Sequence, residues 1–120
     1  MTTPAPLTAP DCVFCRIVAG QIPAEVVASS STVLAFRDID PKAPVHVLVV
    51  PRDHHADVAQ LAAADPALLA DVVRLANEIA QDESDGQFRL IFNTGSHAGQ
   101  SVFHVHAHLL AGPRLGWTPA

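Results

Sequence analysis

The segment Gly99-Gln100-Ser101-Val102-Phe103-His104-Val105-His106-Ala107-His108-Leu109-Leu110 decides the fold of this 120-residue chain. From position 104 to position 108 histidines alternate with apolar residues, which is the two-residue period of a β-strand. At about 3.3 Å per residue, the three imidazoles lie on one face of that strand, roughly 6.6 Å from one another. The other face is apolar, and we expect it to be buried: Phe103, Val105, Ala107 and Leu109.

A polar loop, residues 93–101, leads into this segment and contains Gly95 and Gly99. Glycines allow backbone N–H groups to approach a phosphate closely, and such a concavity binds anions. An ordinary polar turn is the alternative, but the adjacent histidines favour an anion site. A histidine row can also ligate one metal ion, although side chains two apart on a strand diverge. Alternatively, the middle ring attacks phosphorus or an acyl carbon, because a neutral histidine is nucleophilic at pH 7.

The composition indicates one soluble domain. The formal net charge is −5 and there is no basic run, which argues against nonspecific nucleic-acid binding. No apolar stretch is long enough to span a bilayer, and no secretory signal is recognisable, so we expect a cytoplasmic protein without membrane contact. Residues 1–10 are rich in proline and threonine and are predicted to be a disordered tail, followed by a single domain over 11–120.

Periodicity predicts strands at 24–29, 32–36, 46–51 and 88–93, with 46–51 central and covered on both faces. A helix is predicted to begin with Asp65 as its N-cap and Pro66 as its first residue. Apolar residues then recur at helical spacing up to Ile79. Arg74 and Glu78 are expected to pair on its solvated face. Asp82 to Gln87 end this helix. Strands, helix and strands in this order indicate an α+β fold.

Cys12 and Cys15 form a Cys-x-x-Cys pair just after the predicted tail. The pair is compatible with a redox motif, half of a zinc site, or two buried thiols. A redox motif is normally preceded by a strand, which is lacking here. Zinc needs two further ligands, and the histidines can supply them.

The run Gly-Gln-Ser-Val-Phe-His-Val-His-Ala-His resembles the histidine triad family, and its Hint branch in particular. The resemblance extends from Cys12 to about Trp117. It implies an antiparallel sheet of about five strands with one main helix, and pairing of two protomers into a homodimer. It also implies a hydrolase that acts on nucleotides through a nucleotidyl-histidine intermediate. Ser101, Trp117 and the last histidine of the row favour hydrolysis of purine nucleoside phosphoramidates. The alternatives are a dinucleoside polyphosphate hydrolase and a nucleotide-binding regulatory partner protein.

The resemblance also implies a role for individual residues. His106 is the nucleophile; His108 and the backbone of Gly99 and Gln100 stabilise charge on the transferring group; Ser101 assists the leaving group; and His46 lies beside the triad. The implied substrate-binding residues also include Asp38 and Ile39 at the nucleoside, Asn93 at the phosphate, Phe14 and Trp117. Zinc is implied to be structural and unnecessary for catalysis, with ligands Cys12, Cys15, His54 and His104.

Overall fold

The computed structural model describes residues 8–116 and contains one five-stranded antiparallel sheet. The strands are β1 (Val26–Ser29), β2 (Val33–Arg37), β3 (Val45–Pro51), β4 (Arg89–Ile91) and β5 (Ala107–Ala111), in the order β1-β2-β3-β5-β4. The helices are α1 (Val13–Val18), α2 (Val58–Ala64) and α3 (Pro66–Ser84), with a 3-10 turn at Ser96–Ala98. The expected α+β class and the central position of β3 are confirmed. Among the described helices, none is both long and apolar enough to cross a membrane.

The main core lies between one face of the sheet and α3. Val47, Val49 and Leu109 point from the sheet, and Val72 points from the helix; all four are fully buried. Each such side chain contributes about 1.5–3 kcal/mol through its removal from water. The helix begins as predicted, since Asp65 Oδ1 accepts a hydrogen bond from the backbone N–H of Leu68 at 3.1 Å.

Two details of the helical part differ from expectation. Arg74 Nη1 pairs with Asp71 Oδ1 at 3.0 Å rather than with Glu78, because a residue three positions earlier lies equally close on a helix surface. The short helices α1 and α2 were not predicted. The N-cap of α2 is Asp57, whose Oδ1 accepts from the backbone N–H of Gln60 at 2.9 Å.

The opposite face of the sheet carries a smaller apolar cluster, built from Leu34, Phe36, Leu48 and Val50 and covered by Phe14 of α1. Residues of β3 therefore alternate between two buried faces. His46 shares the parity of Leu48, and Leu48 is the register partner of His108. Both histidines consequently lie on the α1 face of the sheet, which is where the candidate site forms.

The prediction of one continuous histidine strand is wrong in its first half. The strand β5 begins only at Ala107, so His104 and His106 precede it, and Phe103 is half-exposed rather than core. The ladder between β3 and β5 ends at the pair Val49–Ala107. Pro51, two residues further along β3, has no N–H to donate to the chain before β5. The N–H of Val105 instead donates to the carbonyl of His55 at 2.7 Å. Val105, Ala107 and Leu109 are buried as expected.

Candidate active site and metal centre

An open cavity of about 360 Å³ lies between the loop after β2, the glycine loop (residues 93–101) and the strands β3 and β5. We call His46, His106 and His108 the cavity row, because all three line this space. The full lining comprises Asp38, Asp40, Lys42, His46, Asn93, Ala98, Gly99, Ser101, His106 and His108.

One ring nitrogen of His106 is held by a hydrogen bond to the backbone, and the other is not. Its Nδ1 lies 2.9 Å from the carbonyl oxygen of His104. A carbonyl only accepts, so Nδ1 carries the proton and donates it, and the lone pair resides on Nε2. The ring also meets Phe14 edge to face, with centroids 5.0 Å apart and planes at 88°. This is the protonation pattern that a histidine nucleophile requires.

A second chain of hydrogen bonds fixes the other two rings of the row. The backbone N–H of Lys42 donates to His46 Nδ1 at 3.0 Å, which leaves the proton of a neutral His46 on Nε2. His46 Nε2 lies 3.0 Å from His108 Nδ1 and donates to it. His108 then carries its own proton on Nε2, so the row offers one nucleophilic nitrogen and one N–H donor.

Burial keeps these rings neutral near pH 7. Removal from water lowers the pKa of His46 and of His106 below the ordinary histidine value. It lowers the pKa of His108 to about 4, with further lowering from the neighbouring His106 and His46. A neutral ring is required of a nucleophile, because a protonated imidazole has no free lone pair.

The loop after β2 brings three charged side chains to the cavity. Asp38 Oδ1 accepts from the backbone N–H of Asp40 at 2.8 Å, and its Oδ2 lies 3.4 Å from His46 Nε2. Asp40 and Lys42 form an ion pair. The sequence reasoning did not select Asp40 or Lys42, although their place beside Asp38 in one short loop was an available signal. Ile39 is fully exposed at the same edge.

The glycine loop is held by its own hydrogen bonds. Gly95 and Gly99 adopt φ of +87° and +91°, which other residues rarely adopt. The N–H of Gly99 donates to Ser96 O at 3.1 Å and that of Gln100 to Gly95 O at 3.0 Å. These two N–H groups were expected to face a phosphate, and in this conformation both are used within the loop.

Gln100 and Asn93 brace this loop through their side chains. The buried amide of Gln100 donates to Ala56 O at 2.7 Å and accepts from Gly95 N at 2.9 Å, so it lies behind the cavity rather than in its wall. Asn93 Nδ2 donates to Ala98 O at 2.9 Å while lining the cavity.

The remaining predicted site residues are distributed as follows. Phe14 is buried behind His106, with 7% exposure, and does not line the cavity. Trp117 lies outside the described residues. The cavity row shares its cavity with four further predicted residues: Asp38, Asn93, Gly99 and Ser101.

Cys12, Cys15, His54 and His104 form a separate group, here called the thiol–histidine cluster, whose ligand atoms all lie within 4.8 Å of one another. His104 Nδ1 is 3.5 Å from Cys12 Sγ, 3.4 Å from Cys15 Sγ and 3.3 Å from His54 Nδ1. A tetrahedral zinc site has edges of about 3.3 Å between nitrogens and about 3.6 Å between nitrogen and sulfur. These four residues can therefore hold a metal ion, and the donor set is one that zinc prefers.

The second nitrogen of His104 supports the same conclusion. His104 Nε2 lies 2.8 Å from Pro51 O and must donate to it, so Nδ1 presents its lone pair to the cluster. Asp38, His46 and His108 also bring donor atoms within 4.8 Å. In this second group, however, the backbone N–H of Lys42 donates to His46 Nδ1, so the proton of a neutral His46 is on Nε2. Nε2 is the nitrogen that faces His108 and Asp38, and its proton would have to be lost before a metal could bind there.

Comparison with known proteins extends over nearly the whole chain. The family model described as scavenger mRNA decapping enzyme C-terminal binding matches residues 11–115. An uncharacterised HIT-like protein of Synechocystis is 41% identical over 112 residues, covering 92% of this chain and 98% of the relative. The purine nucleoside phosphoramidase of Escherichia coli K12 is 38% identical over 110 residues, covering 90% and 92%. A HIT family hydrolase structure from Legionella pneumophila has 43% identity and a TM-score of 0.86, covering 92% of this chain and all of the other.

Proposed function

This chain belongs to the histidine triad family, and from that premise we propose that it is a nucleotide hydrolase that cleaves purine nucleoside phosphoramidates. The observation that carries the proposal is the tautomer of His106, whose protonated Nδ1 is bound to His104 O while the ring lines the cavity. Its Nε2 lone pair is thereby available to phosphorus. The 38% identity to the E. coli purine nucleoside phosphoramidase supports the substrate class.

The reaction has two steps. His106 Nε2 attacks phosphorus, a new N–P bond forms, and the P–N bond to the leaving amine breaks. The amine takes up a proton as it leaves, and the proposed role of Ser101, which lines the cavity, is to assist this departure through its hydroxyl. Water then attacks the nucleotidyl-histidine, giving the nucleoside monophosphate and free His106. His108 Nε2–H donates to a phosphoryl oxygen and so stabilises charge that increases in the transition state.

The charge of the cavity supports a phosphoramidate over a dinucleoside polyphosphate. Its described lining carries the carboxylates of Asp38 and Asp40 and the ammonium of Lys42, and the three rings of the row are neutral. A lining with one net negative charge repels a polyphosphate chain that carries several negative charges more strongly than a nucleoside phosphoramidate that carries one.

For the nucleoside we propose the edge formed by Asp38 and Ile39. The Asp38 carboxylate is partly exposed and able to accept from ribose hydroxyls, and the fully exposed Ile39 can pack on the base. Asn93, Gly99, Gln100, Phe14 and Trp117 complete the proposed substrate-binding set. Of these, Gln100 and Phe14 act from behind the cavity wall.

We further propose that the thiol–histidine cluster binds zinc and that zinc has a structural role. Four protein ligands close the coordination sphere, so no metal-bound water is available for hydrolysis. Metal analysis of protein purified without added zinc should give about one zinc per chain. A value well below one, with both thiols free, would exclude the site. A homodimer is proposed on the family resemblance, and sedimentation measurements test it.

The substrate proposal is tested with purine nucleoside phosphoramidates and dinucleoside polyphosphates assayed side by side, with His106→Ala as the blank. Turnover of the phosphoramidates at a kcat/KM at least tenfold above that of the dinucleotides is expected. The opposite order would identify a dinucleoside polyphosphate hydrolase. Nucleotide binding with no turnover of either class would favour a regulatory partner protein.

A further inference from the structure

The short helix α1 carries side chains that belong to both centres. Cys12 is its N-cap and Cys15 lies in its first turn, and both thiols enter the thiol–histidine cluster. Phe14 stands between them in sequence and points to the ring of His106. One turn of helix thus fixes the distance between the cluster and the aromatic ring that touches the nucleophile.

Phe14 is confined from several directions. Its ring lies 5.6 Å from that of Phe36 at 73°, 6.0 Å from that of His104 at 71°, and 5.0 Å from that of His106 at 88°. All are edge-to-face arrangements, which aromatic rings prefer. Since Phe14 is buried, it cannot move without displacing a neighbour.

A second connection runs through His104. Its Nδ1 belongs to the thiol–histidine cluster, and its carbonyl oxygen accepts from His106 Nδ1 at 2.9 Å. A shift of His104 therefore moves the hydrogen-bond acceptor that selects the tautomer of His106. Two connections therefore reach the same ring, one by packing and one by a directed hydrogen bond.

We propose that Phe14 and the thiol–histidine cluster are positioning groups for the nucleophile, so that α1 sets the orientation of His106. The cluster then does more than hold the N-terminal segment against the sheet, although it takes no part in bond breaking. This inference rests on the proposed function, because it assumes that His106 attacks phosphorus. A misplacement of about 1 Å costs up to two orders of magnitude in rate, so a partial loss of support is expected to cost on the order of tenfold.

The decisive variant is Phe14→Leu, which keeps an apolar side chain and all four cluster residues. Phe88→Leu is the matched control, since Phe88 packs on the main core, on the other face of the sheet. For Phe14→Leu we expect kcat to fall about tenfold and the zinc content to equal that of the wild type. Because Phe14 lies behind the cavity wall and acts on the substrate only through His106, KM should stay within twofold. The ¹H–¹⁵N signal of His106 Nδ1–H should broaden or shift. Phe88→Leu should change neither kcat nor this signal.

A second arm perturbs the cluster itself. Cys12→Ser with Cys15→Ser should lose zinc and show the same change in the His106 signal, with a comparable loss in kcat for the folded fraction. An unchanged kcat and signal in Phe14→Leu would overturn the proposal even if the double variant fails to fold. If wild-type protein has no turnover on phosphoramidates, the proposed function fails, whereas the His106 signal still decides the positioning role.

Discussion

His104 and His106 are two residues apart, yet they belong to centres of different kinds. His104 is fully buried and its free nitrogen faces two thiols and another imidazole. His106 lines an open cavity, and among the described residues it belongs to no group of potential metal ligands. In each ring a backbone carbonyl binds one nitrogen: Pro51 O binds Nε2 of His104, and His104 O binds Nδ1 of His106. The role of each histidine therefore depends on which nitrogen the carbonyl occupies and on what surrounds the other.

The largest expected effect is a loss of activity on removal of His106, which belongs to the cavity row and not to the thiol–histidine cluster. His106→Ala should reduce turnover by about four orders of magnitude or more, because no other group in the cavity replaces a covalent nucleophile. Steady-state and single-turnover rates provide the measurement. Nucleotide affinity should persist within severalfold. His55→Ala is the control, since the His55 side chain belongs to neither centre. Retention of a tenth of wild-type turnover by His106→Ala would mean that another residue attacks.

Perturbing the thiol–histidine cluster should instead lower the stability of the fold. Replacing Cys12 and Cys15 by serine removes two thiolate ligands, and loss of the metal-linked free energy should destabilise the fold by several kcal/mol. Thermal unfolding with and without a chelator provides the measurement. The wild-type melting temperature should fall on chelation, and that of the double variant should be insensitive to the chelator. Equal melting temperatures for the two proteins would show that the cysteines are ordinary buried thiols.

The sequence pattern predicted the secondary structure around the two centres but not the contacts that separate them. Four of the strand segments, α3 and its N-cap follow from periodicity and capping, which are local signals. The antiparallel arrangement of the sheet came from the family resemblance. The strand boundary at Ala107 does not follow from local signals, because it depends on where the pairing with β3 ends. The orientation of Phe14 toward His106 is also nonlocal, since α1 and β5 are brought together only by the fold. The ligand set of the cluster came from the family resemblance rather than from spacing.

A smaller difference should appear in the pH dependence of stability. The pKa of His108 falls to about 4 on folding because the ring is buried, whereas the unfolded value is the ordinary 6.5. Between these two pH values the unfolded chain binds more protons, so stability falls as the pH drops from 6.5 to 4. Allowing for partial solvent access, this loss is on the order of 1 kcal/mol.

Urea unfolding at several pH values measures this slope, and His108→Gln serves as the comparison because it removes the titrating ring. The slope between pH 6.5 and pH 4 should be shallower in the variant. An identical slope in both proteins would show that His108 does not titrate in this window.

The most selective effect, limited to one class of substrates, concerns a residue that serves only the leaving group. Ser101→Ala should lower the rate with amine leaving groups by about tenfold, while substrates with good leaving groups should change less than twofold, because they depart without a proton. A leaving-group series assayed at one pH provides the measurement. An equal loss across the series would indicate that the hydroxyl supports the loop structurally.

The most direct test of the account is to trap the covalent intermediate. Wild-type protein is mixed with a purine nucleoside phosphoramidate and quenched within milliseconds at high pH, because histidine N–P bonds are hydrolysed in acid. Peptide mass spectrometry should locate one nucleotidyl group on His106, formed and lost at rates consistent with turnover, and none on His104 or His108. Turnover without an adduct, or an adduct on another residue, would contradict the assignment of His106 as the nucleophile.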